Sequence, residues 1–204
     1  MVEENGACVK SHSMGIRIQK KILGKMASRS VARHFIDDDA GKILDALYAF
    51  LKETKSEVEA KKLIKCIIKI VIKLGILYSN EKLSPNEKML LKQMIRNFSK
   101  LIMTLVTFWE VAFSYDEQHL VSQLSSVEDT IITIITPHLT TKSERRVRYV
   151  FSTMTESAVL GALFRPPPDD PSRFHSSHLD LMAPILRDYV FGKDQDPAVT
   201  TPDP

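Results

Sequence analysis

The chain is poor in the residues that build disulfide frameworks and tight β-turns. Its 204 residues include 2 cysteines, Cys8 and Cys66, and 7 glycines. Two cysteines form no framework, so we expect reduced thiols in a cytoplasmic protein. Few glycines argue against a hairpin-rich β protein. The first 14 residues are polar and lack a secretory apolar core. The longest apolar candidate, residues 101–113, is shorter than the ~20 residues of a membrane span.

The positive charge is concentrated at the beginning of the chain. Residues 1–36 hold seven basic side chains against two glutamates, a balance of +5. The whole chain carries +3, so the remaining residues carry −2. Hydrophobic residues make up 44% and charged residues 26%, an ordinary globular balance for one domain. The basic character therefore predicts a local patch rather than a generally cationic protein.

Apolar spacing and capping residues predict an all-α fold, a single bundle or cylinder of about six to eight helices around an apolar core or cavity. Ser56 and Glu59 are a predicted capping box, and Ser84 with Pro85 and Glu87 is a predicted helix start. Asp37, Asp38 and Asp39 are predicted to supply an N-cap for the helix that follows them. The predicted helices are about 15–36, 40–54, 57–79, 85–113, a helix opened by Asp116 and ended by Pro137, 142–154, 157–164 and 178–191. We expect flexible tails at 1–14 and 192–204, one domain at 15–191, and a Pro-rich linker at 165–177 before the last helix.

The first predicted helix has an apolar stripe beside a basic stripe. Arg17, Lys21, Lys25, Arg29 and Arg33 recur at a spacing of four, so they share one face. Such a face is either simply solvated or suited to an anionic membrane surface. Nucleic acid would use the same electrostatics, but no aromatic residue interleaves the stretch before Phe35, so we expect no nucleic-acid partner.

The third predicted helix is apolar around most of its circumference. Between Leu63 and Tyr78 the charged residues are Lys65, Lys69 and Lys73, which form a ridge. One interpretation is a central core helix with a solvated lysine edge. The other is that part of the apolar surface lines a cavity with lysines near its mouth. Periodicity alone does not separate the two.

Sequence motifs for catalysis and metal binding are missing. We find no phosphate-binding loop, dinucleotide fingerprint, nucleophile elbow or zinc-protease motif. His175, His178 and Asp180 straddle the end of the Pro-rich linker, and we do not expect them to bind a metal. His138 follows Pro137 and fits a turn or cap better than a catalytic base. We therefore predict no catalytic residue, no metal, no cofactor and no enzymatic activity.

Several segments, in order, resemble a known family. They cover about residues 16–164 and, weakly, the last helix. These segments are Gln19–Ser28 (QKKILGKMAS), Ile36–Asp38 (IDD), Leu44–Tyr48 (LDALY), Ile72–Tyr78 (IKLGILY), Met103–Phe108 (MTLVTF) and His138–Ser143 (HLTTKS) with Val150–Phe151. The ordered set resembles the tumour necrosis factor alpha-induced protein eight (TIPE) family.

The resemblance implies a helical cylinder around a large apolar cavity. Such proteins bind and transfer phospholipids, notably phosphoinositides, and modulate cell death, inflammation and migration. The alternative that the resemblance allows is a protein-interaction adaptor in apoptotic or cytoskeletal signalling. In the family the basic first helix contacts the lipid head group and the membrane. The corresponding residues here are Arg17, Lys20, Lys21, Lys25 and Arg29.

This chain departs from the family pattern at the implied head-group site. Ser79 stands where relatives commonly have arginine, and Ile95 replaces another basic residue. Glu144-Arg145 replaces the usual His-Gly, and the linker around Pro166–Pro168 is longer. The chain therefore resembles a divergent member whose ligand differs from that of its relatives.

Our hypothesis from the sequence is a cytoplasmic phospholipid-binding and transfer protein with reversible, peripheral contact to anionic membranes. Signalling proteins are possible further partners. Acyl chains would enter between the third, fourth and fifth predicted helices. The predicted lining residues are Ile67, Val71, Ile102, Val106, Ile131 and Ile135.

Overall fold

The computed structural model describes residues 38–111, 114–165 and 174–191. They form seven α-helices and, within these ranges, no strand. The predicted all-α fold class is confirmed. The helices are α1 (Asp38–Thr54), α2 (Glu57–Ser79), α3 (Pro85–Glu110), α4 (Glu117–Ile135), α5 (Thr141–Met154), α6 (Ser157–Phe164) and α7 (Ser177–Phe191).

Two predicted helix boundaries were wrong by more than one residue. Helix α1 begins at Asp38 rather than at 40, and α3 ends at Glu110 rather than at 113. At Val111 the backbone becomes extended, and its N–H donates to the Thr107 carbonyl as the final helical bond. The predicted helix 15–36, the tails 1–14 and 192–204, and linker residues 166–173 lie outside the described residues.

Polar caps fix where three helices begin. Ser84 and Glu87 form a capping box at the predicted start of α3: the Ser84 hydroxyl accepts from the Glu87 amide, and the Glu87 carboxylate accepts from the Ser84 amide. Asp116 caps α4 through the His119 amide. At α2 the predicted box forms in part, because the Glu59 carboxylate bonds the Ser56 hydroxyl instead of its amide. These caps satisfy amides that a helix start leaves without partners.

Six of the helices close into a ring. Going round it, α1 packs on α2, α2 on α5, α5 on α4, α4 on α3, α3 on α7, and α7 on α1. In this order α2 and α3 stand opposite each other, as do α1 and α4. The short helix α6 contacts α1, α5 and α7. Because five residues (80–84) join α2 to α3, these two helices run in opposite directions across the ring.

The ring has two unlike ends. We call one the α6 end, because four residues of α6 are buried there in a continuous core with Phe50 and Leu51 of α1, Leu63 of α2 and Leu179 of α7. The opposite end comprises the last turns of α2 and α4 and the first turns of α3 and α5. Leu77, Leu83 and Ile134 form a small separate cluster at that end. The candidate site lies towards the opposite end.

Candidate functional site

The α2 helix presents a lysine ridge and an apolar wall on opposite sides. At 3.6 residues per turn, Val71 lies about 200° round the helix from Lys69. The flanks between them are buried: Ile68 and Ile72 on one side, Leu63 and Cys66 on the other. With α1 and α5 on its flanks and lysines outward, α2 directs Val71 into the ring. Yet the Val71 side chain is 37% exposed.

The α3 helix repeats this arrangement from the other side of the ring. Lys100 lies about 200° round the helix from Phe98, and Lys100 is on the exposed polar face. Phe98 therefore points inward, flanked by buried Leu101 and Ile102. Phe98 is nevertheless 45% exposed, and Ile95, one turn before it on the same side, is 51% exposed.

Val71 and Phe98 lie at a similar level inside the ring. Leu74 of α2 and Met94 of α3 pack against the same apolar clusters near Ile134 and Leu139. Because the helices are antiparallel, stepping back one turn on α2 and forward one turn on α3 brings Val71 and Phe98 level with each other. The structure therefore places half-exposed apolar side chains on two facing walls, which a filled core would have covered.

The six predicted lining residues occupy different surroundings. Ile131 and Ile135 share one cluster with Val127 and Val147. Ile67 is partly buried beside the α6-end core, whereas Ile102 and Val106 are each 2% exposed. That these residues line a cavity stays a prediction. The lining residues predicted from the sequence did not include Phe98 and Ile95. Both belong to the apolar residues of α3 that recur at alternating spacings of four and three.

Small recesses are lined wholly by described residues at the seam where α2 meets α5. One, of about 10 Å³, has room for about one water molecule and is lined by Lys69, Ile70, Lys73, Ile135, Leu139, Ser143 and Arg146. A second, of about 70 Å³, lies nearer the α6 end beside Leu51, Leu63 and Tyr149. Neither volume accommodates an acyl chain.

The structure describes Ser79 and Ile95 but none of the predicted head-group residues. Arg17, Lys20, Lys21, Lys25 and Arg29 lie outside the described residues. Ser79 is exposed in the last turn of α2, and Ile95 is exposed one turn nearer to the opposite end than Phe98. Those two positions therefore offer accessible, uncharged side chains at the place where the family pattern has cations.

The histidines form polar contacts between elements. His138 Nε2 lies 2.8 Å from Glu87 Oε1, joining the α4–α5 turn to the start of α3. The Trp109 indole donates to Asp180 Oδ1 at 2.9 Å. His175 Nδ1 is 3.3 Å from that carboxylate oxygen without hydrogen-bond geometry. Across residues 38–111, 114–165 and 174–191, no three His, Cys, Asp or Glu side chains are grouped as a metal site.

In the part of the chain that the structure describes, no helix combines the length and the apolar character that a transmembrane span requires.

Comparison with known proteins identifies extensive similarity. The sequence model of the family "Tumor necrosis factor alpha-induced protein 8-like" matches residues 9–191. Tumor necrosis factor alpha-induced protein 8-like protein 1 of Gallus gallus is 40% identical over 164 residues, covering 80% of this chain and 87% of the relative. Protein salivary glands marred of Drosophila melanogaster is 40% identical over 180 residues, covering 88% and 92%.

One solved structure has the same fold at low sequence identity. It is the C-terminal region of G-protein interacting protein 1 from Dictyostelium discoideum, which is 15% identical with a TM-score of 0.63. The similarity covers 81% of this chain and 99% of that chain. At this identity the match establishes the helical architecture alone.

Proposed function

We propose, because the chain belongs to the tumor necrosis factor alpha-induced protein 8-like family, that it binds a phospholipid inside the helical ring and transfers it between membranes. The acyl chains would occupy the space between α2 and α3. Family membership supports a role in cell-death or inflammatory signalling. The relatives described above carry no enzyme's name, and we propose a role without catalysis.

One observation carries this proposal: Val71 and Phe98, which helix geometry directs to the inside of the ring, are 37% and 45% exposed. Burying a side chain of this size contributes about 1.5–3 kcal/mol. An apolar side chain directed into a fold and left accessible therefore forgoes much of that gain. A hydrocarbon chain placed between the two walls would recover it, since its methylene groups provide the missing contacts.

The phosphate head group would lie at the opposite end, held by the basic residues of the first predicted helix. Arg17, Lys20, Lys21, Lys25 and Arg29 share the charge that suits an anionic leaflet. Each cation near such a surface contributes about 1 kcal/mol, so this helix would give reversible adsorption. Exposed charges are screened by salt, so adsorption should weaken as ionic strength rises.

The test of the apolar site is to fill it. Val71→Trp places a large side chain between the walls, whereas Val58→Trp places the same side chain on the surface, where Val58 is exposed. Native mass spectrometry of the purified full chain should detect bound phospholipid in wild type and in V58W, and none in V71W. Circular dichroism checks the folding of both variants, and Ile95→Trp is a second filling variant.

The test of the basic helix is charge reversal. Lys20, Lys21 and Lys25 changed together to Glu should abolish sedimentation with phosphoinositide vesicles. The matched control changes Lys88, Lys92 and Lys100, three exposed lysines of α3, to Glu. This control makes the same change in net charge. Unchanged sedimentation of the first triple variant would exclude the basic helix as the membrane contact.

The alternative function is an adaptor that binds a signalling protein through its basic face. It predicts a purified protein without lipid and a V71W variant with normal partner binding. Absence of any bound phospholipid after mild purification would favour the adaptor.

A further inference from the structure

The seam between α2 and α5 gathers cations on the outside of the ring. Lys65, Lys69 and Lys73 approach it from α2, and Lys142 and Arg146 from the first turns of α5. Lys69, Lys73 and Arg146 are partly buried and line the recess of about 10 Å³. These side chains come from segments about seventy residues apart, so the fold itself produces the cluster.

Three cations of this cluster have no acidic partner within the described ranges. The side chains of Lys69, Lys142 and Arg146 make no ion pair or hydrogen bond with another described side chain. On α5, Glu144 lies about 160° round the helix from Arg146, so it faces away from α2. Burial lowers the pKa of the Lys69 ammonium, and the nearby charges of Arg146, Lys142 and Lys65 lower it further.

A buried hydroxyl also positions one of the cations that line the recess. Lys73 Nζ donates to Ser143 Oγ at 2.6 Å, and Ser143 is buried. This bond holds the Lys73 ammonium against the first turn of α5. The capping residue Thr140 makes no side-chain hydrogen bond, so the amide end of α5 adds partial positive charge beside the same recess.

We propose that this seam is a binding site for a phosphate monoester, with Lys69, Lys73 and Arg146 contacting its oxygens and Lys142 at the rim. The recess itself has room for about one water molecule, so the phosphate would lie at its rim. Several cations converge on that rim, which matches a compact dianion better than the separated single charges of an acidic peptide. Arg146 supplies a planar fork for two phosphate oxygens, and the lysines act as point charges. The phosphate would belong either to a soluble phosphate ester or to a membrane lipid head group.

This site is distinct from the apolar interior and from the first helix. Lys69 and Val71 lie on opposite sides of α2, so a ligand at the seam does not enter the ring. The proposal does not require that the ring hold lipid, and the two are tested by different measurements.

The experiment measures binding of soluble inositol trisphosphate to the full chain by isothermal titration calorimetry, with inorganic phosphate as a second probe. The double variant Lys69→Gln with Arg146→Gln should weaken binding at least about tenfold, since hydrogen bonds to charged groups are strong. The control, Lys88→Gln with Lys92→Gln, removes two exposed cations from α3 and should leave binding unchanged. The single variant Lys142→Gln, at an exposed position, should weaken binding by a smaller factor. It tests the site even if the double variant misfolds.

Vesicles distinguish the two phosphate sources. If the seam variant no longer binds vesicles containing phosphatidylinositol bisphosphate and no longer binds soluble inositol trisphosphate, the site binds membrane head groups. If only soluble binding is lost, it takes free phosphate esters. Either result supports the proposal. Unchanged binding by both seam variants, failure of the wild type to bind either probe, or equal affinity of the seam for polyglutamate would overturn it. Native mass spectrometry of lipid in the same variants reports separately on the interior.

Discussion

The α6 end and the opposite end of the ring differ in how far their apolar side chains are covered. At the α6 end, Val159, Leu160 and Phe164 of one short helix are buried among the ends of the surrounding helices. Phe164 stacks on Tyr115 with ring centroids 5.0 Å apart, and Phe108 meets both rings edge-on. Towards the opposite end, Val71 and Phe98 face inward without such cover.

Fold stability and the capacity to bind a ligand therefore need not depend on the same residues. The α6 end supplies dense apolar contacts that hold the ring closed. The opposite end can then keep uncovered apolar walls without loss of the architecture. Sites of low local packing are where proteins open and bind.

The largest expected effect comes from removing one phenylalanine ring at each end. Phe164→Ala should lower the free energy of unfolding by about 3–5 kcal/mol, because Phe164 is 5% exposed and its removal leaves a cavity. Phe98→Ala should cost less than about 1.5 kcal/mol, since Phe98 already lacks part of its contacts. Urea denaturation of the two variants measures both values. Equal losses would show that Phe98 is packed as tightly as Phe164, and the comparison of the ends would fail.

The next effect concerns charge at the opposite end. Ser79→Arg with Ile95→Arg restores the cations that the family pattern places there, at two exposed positions. Each should strengthen binding to anionic vesicles about fivefold at low salt, at about 1 kcal/mol per cation near the leaflet.

The matched control for this pair adds the same charge beside the α6 end. Val58→Arg with Gln118→Arg also changes two exposed residues, at the starts of α2 and α4. It should strengthen vesicle binding little, because that end would face away from the bilayer. Similar gains from both pairs would mean that net charge alone governs adsorption and that neither end is the mouth.

The helices were predictable because local signals determine where they begin. Ser84, Pro85 and Glu87 specify the start of α3 within a few residues of sequence, and the structure has it there. The end of α3 was missed because residues 111–113 continue the apolar pattern, so nothing local marks the change to extended backbone at Val111. Asp38 was predicted to lie in the cap and instead opens α1.

The candidate site was predictable only in part, because exposure inside a ring depends on helices distant in sequence. The ridge of Lys65, Lys69 and Lys73 follows from spacing alone. In contrast, Phe98 and Ile102 belong to the same apolar stripe of α3, and one is half exposed while the other is buried. Which of them meets a neighbour depends on where α7 and α4 lie, and no pattern within α3 specifies that. The α2–α5 cluster needed the fold for the same reason.

A smaller effect should appear at high pH, and at the α6 end. Burial, followed by the charge and hydrogen bond of Glu117, raises the pKa of Tyr115 to about 12 from 10.0. The folded state therefore holds the phenolic proton more tightly than the unfolded state does. The contribution to stability is complete below pH 10.0 and is lost as the pH rises towards about 12.

Tyr115→Phe removes this proton and should flatten the alkaline decline of the free energy of unfolding. Urea titrations at several pH values within that window measure the slope, and Tyr189→Phe, on an exposed ring, is the control. An unchanged slope in Y115F would mean that other groups cause the alkaline loss.

The smallest effect belongs to low pH and to the opposite end. Burial raises the pKa of Glu87, but hydrogen bonds from the amide and hydroxyl of Ser84 and the contact with His138 outweigh it, so the net pKa lies below 4.5. The ionised carboxylate is therefore favoured in the folded state. Its contribution is present above pH 4.5 and is lost as the pH falls through the lowered folded pKa.

Glu87→Gln keeps an amide oxygen for the capping box and removes the charge. It should lower the free energy of unfolding by about 0.3–1 kcal/mol at neutral pH, the usual worth of an anion at a helix start. The difference from wild type should vanish in acid, because wild-type Glu87 is then neutral too. Glu59→Gln makes the same change at the third residue of α2, near the α6 end, where the carboxylate is exposed and has no histidine beside it. Equal losses in the free energy of unfolding of E87Q and E59Q at neutral pH would show that the contact with His138 adds no stability beyond that of a carboxylate at a helix start.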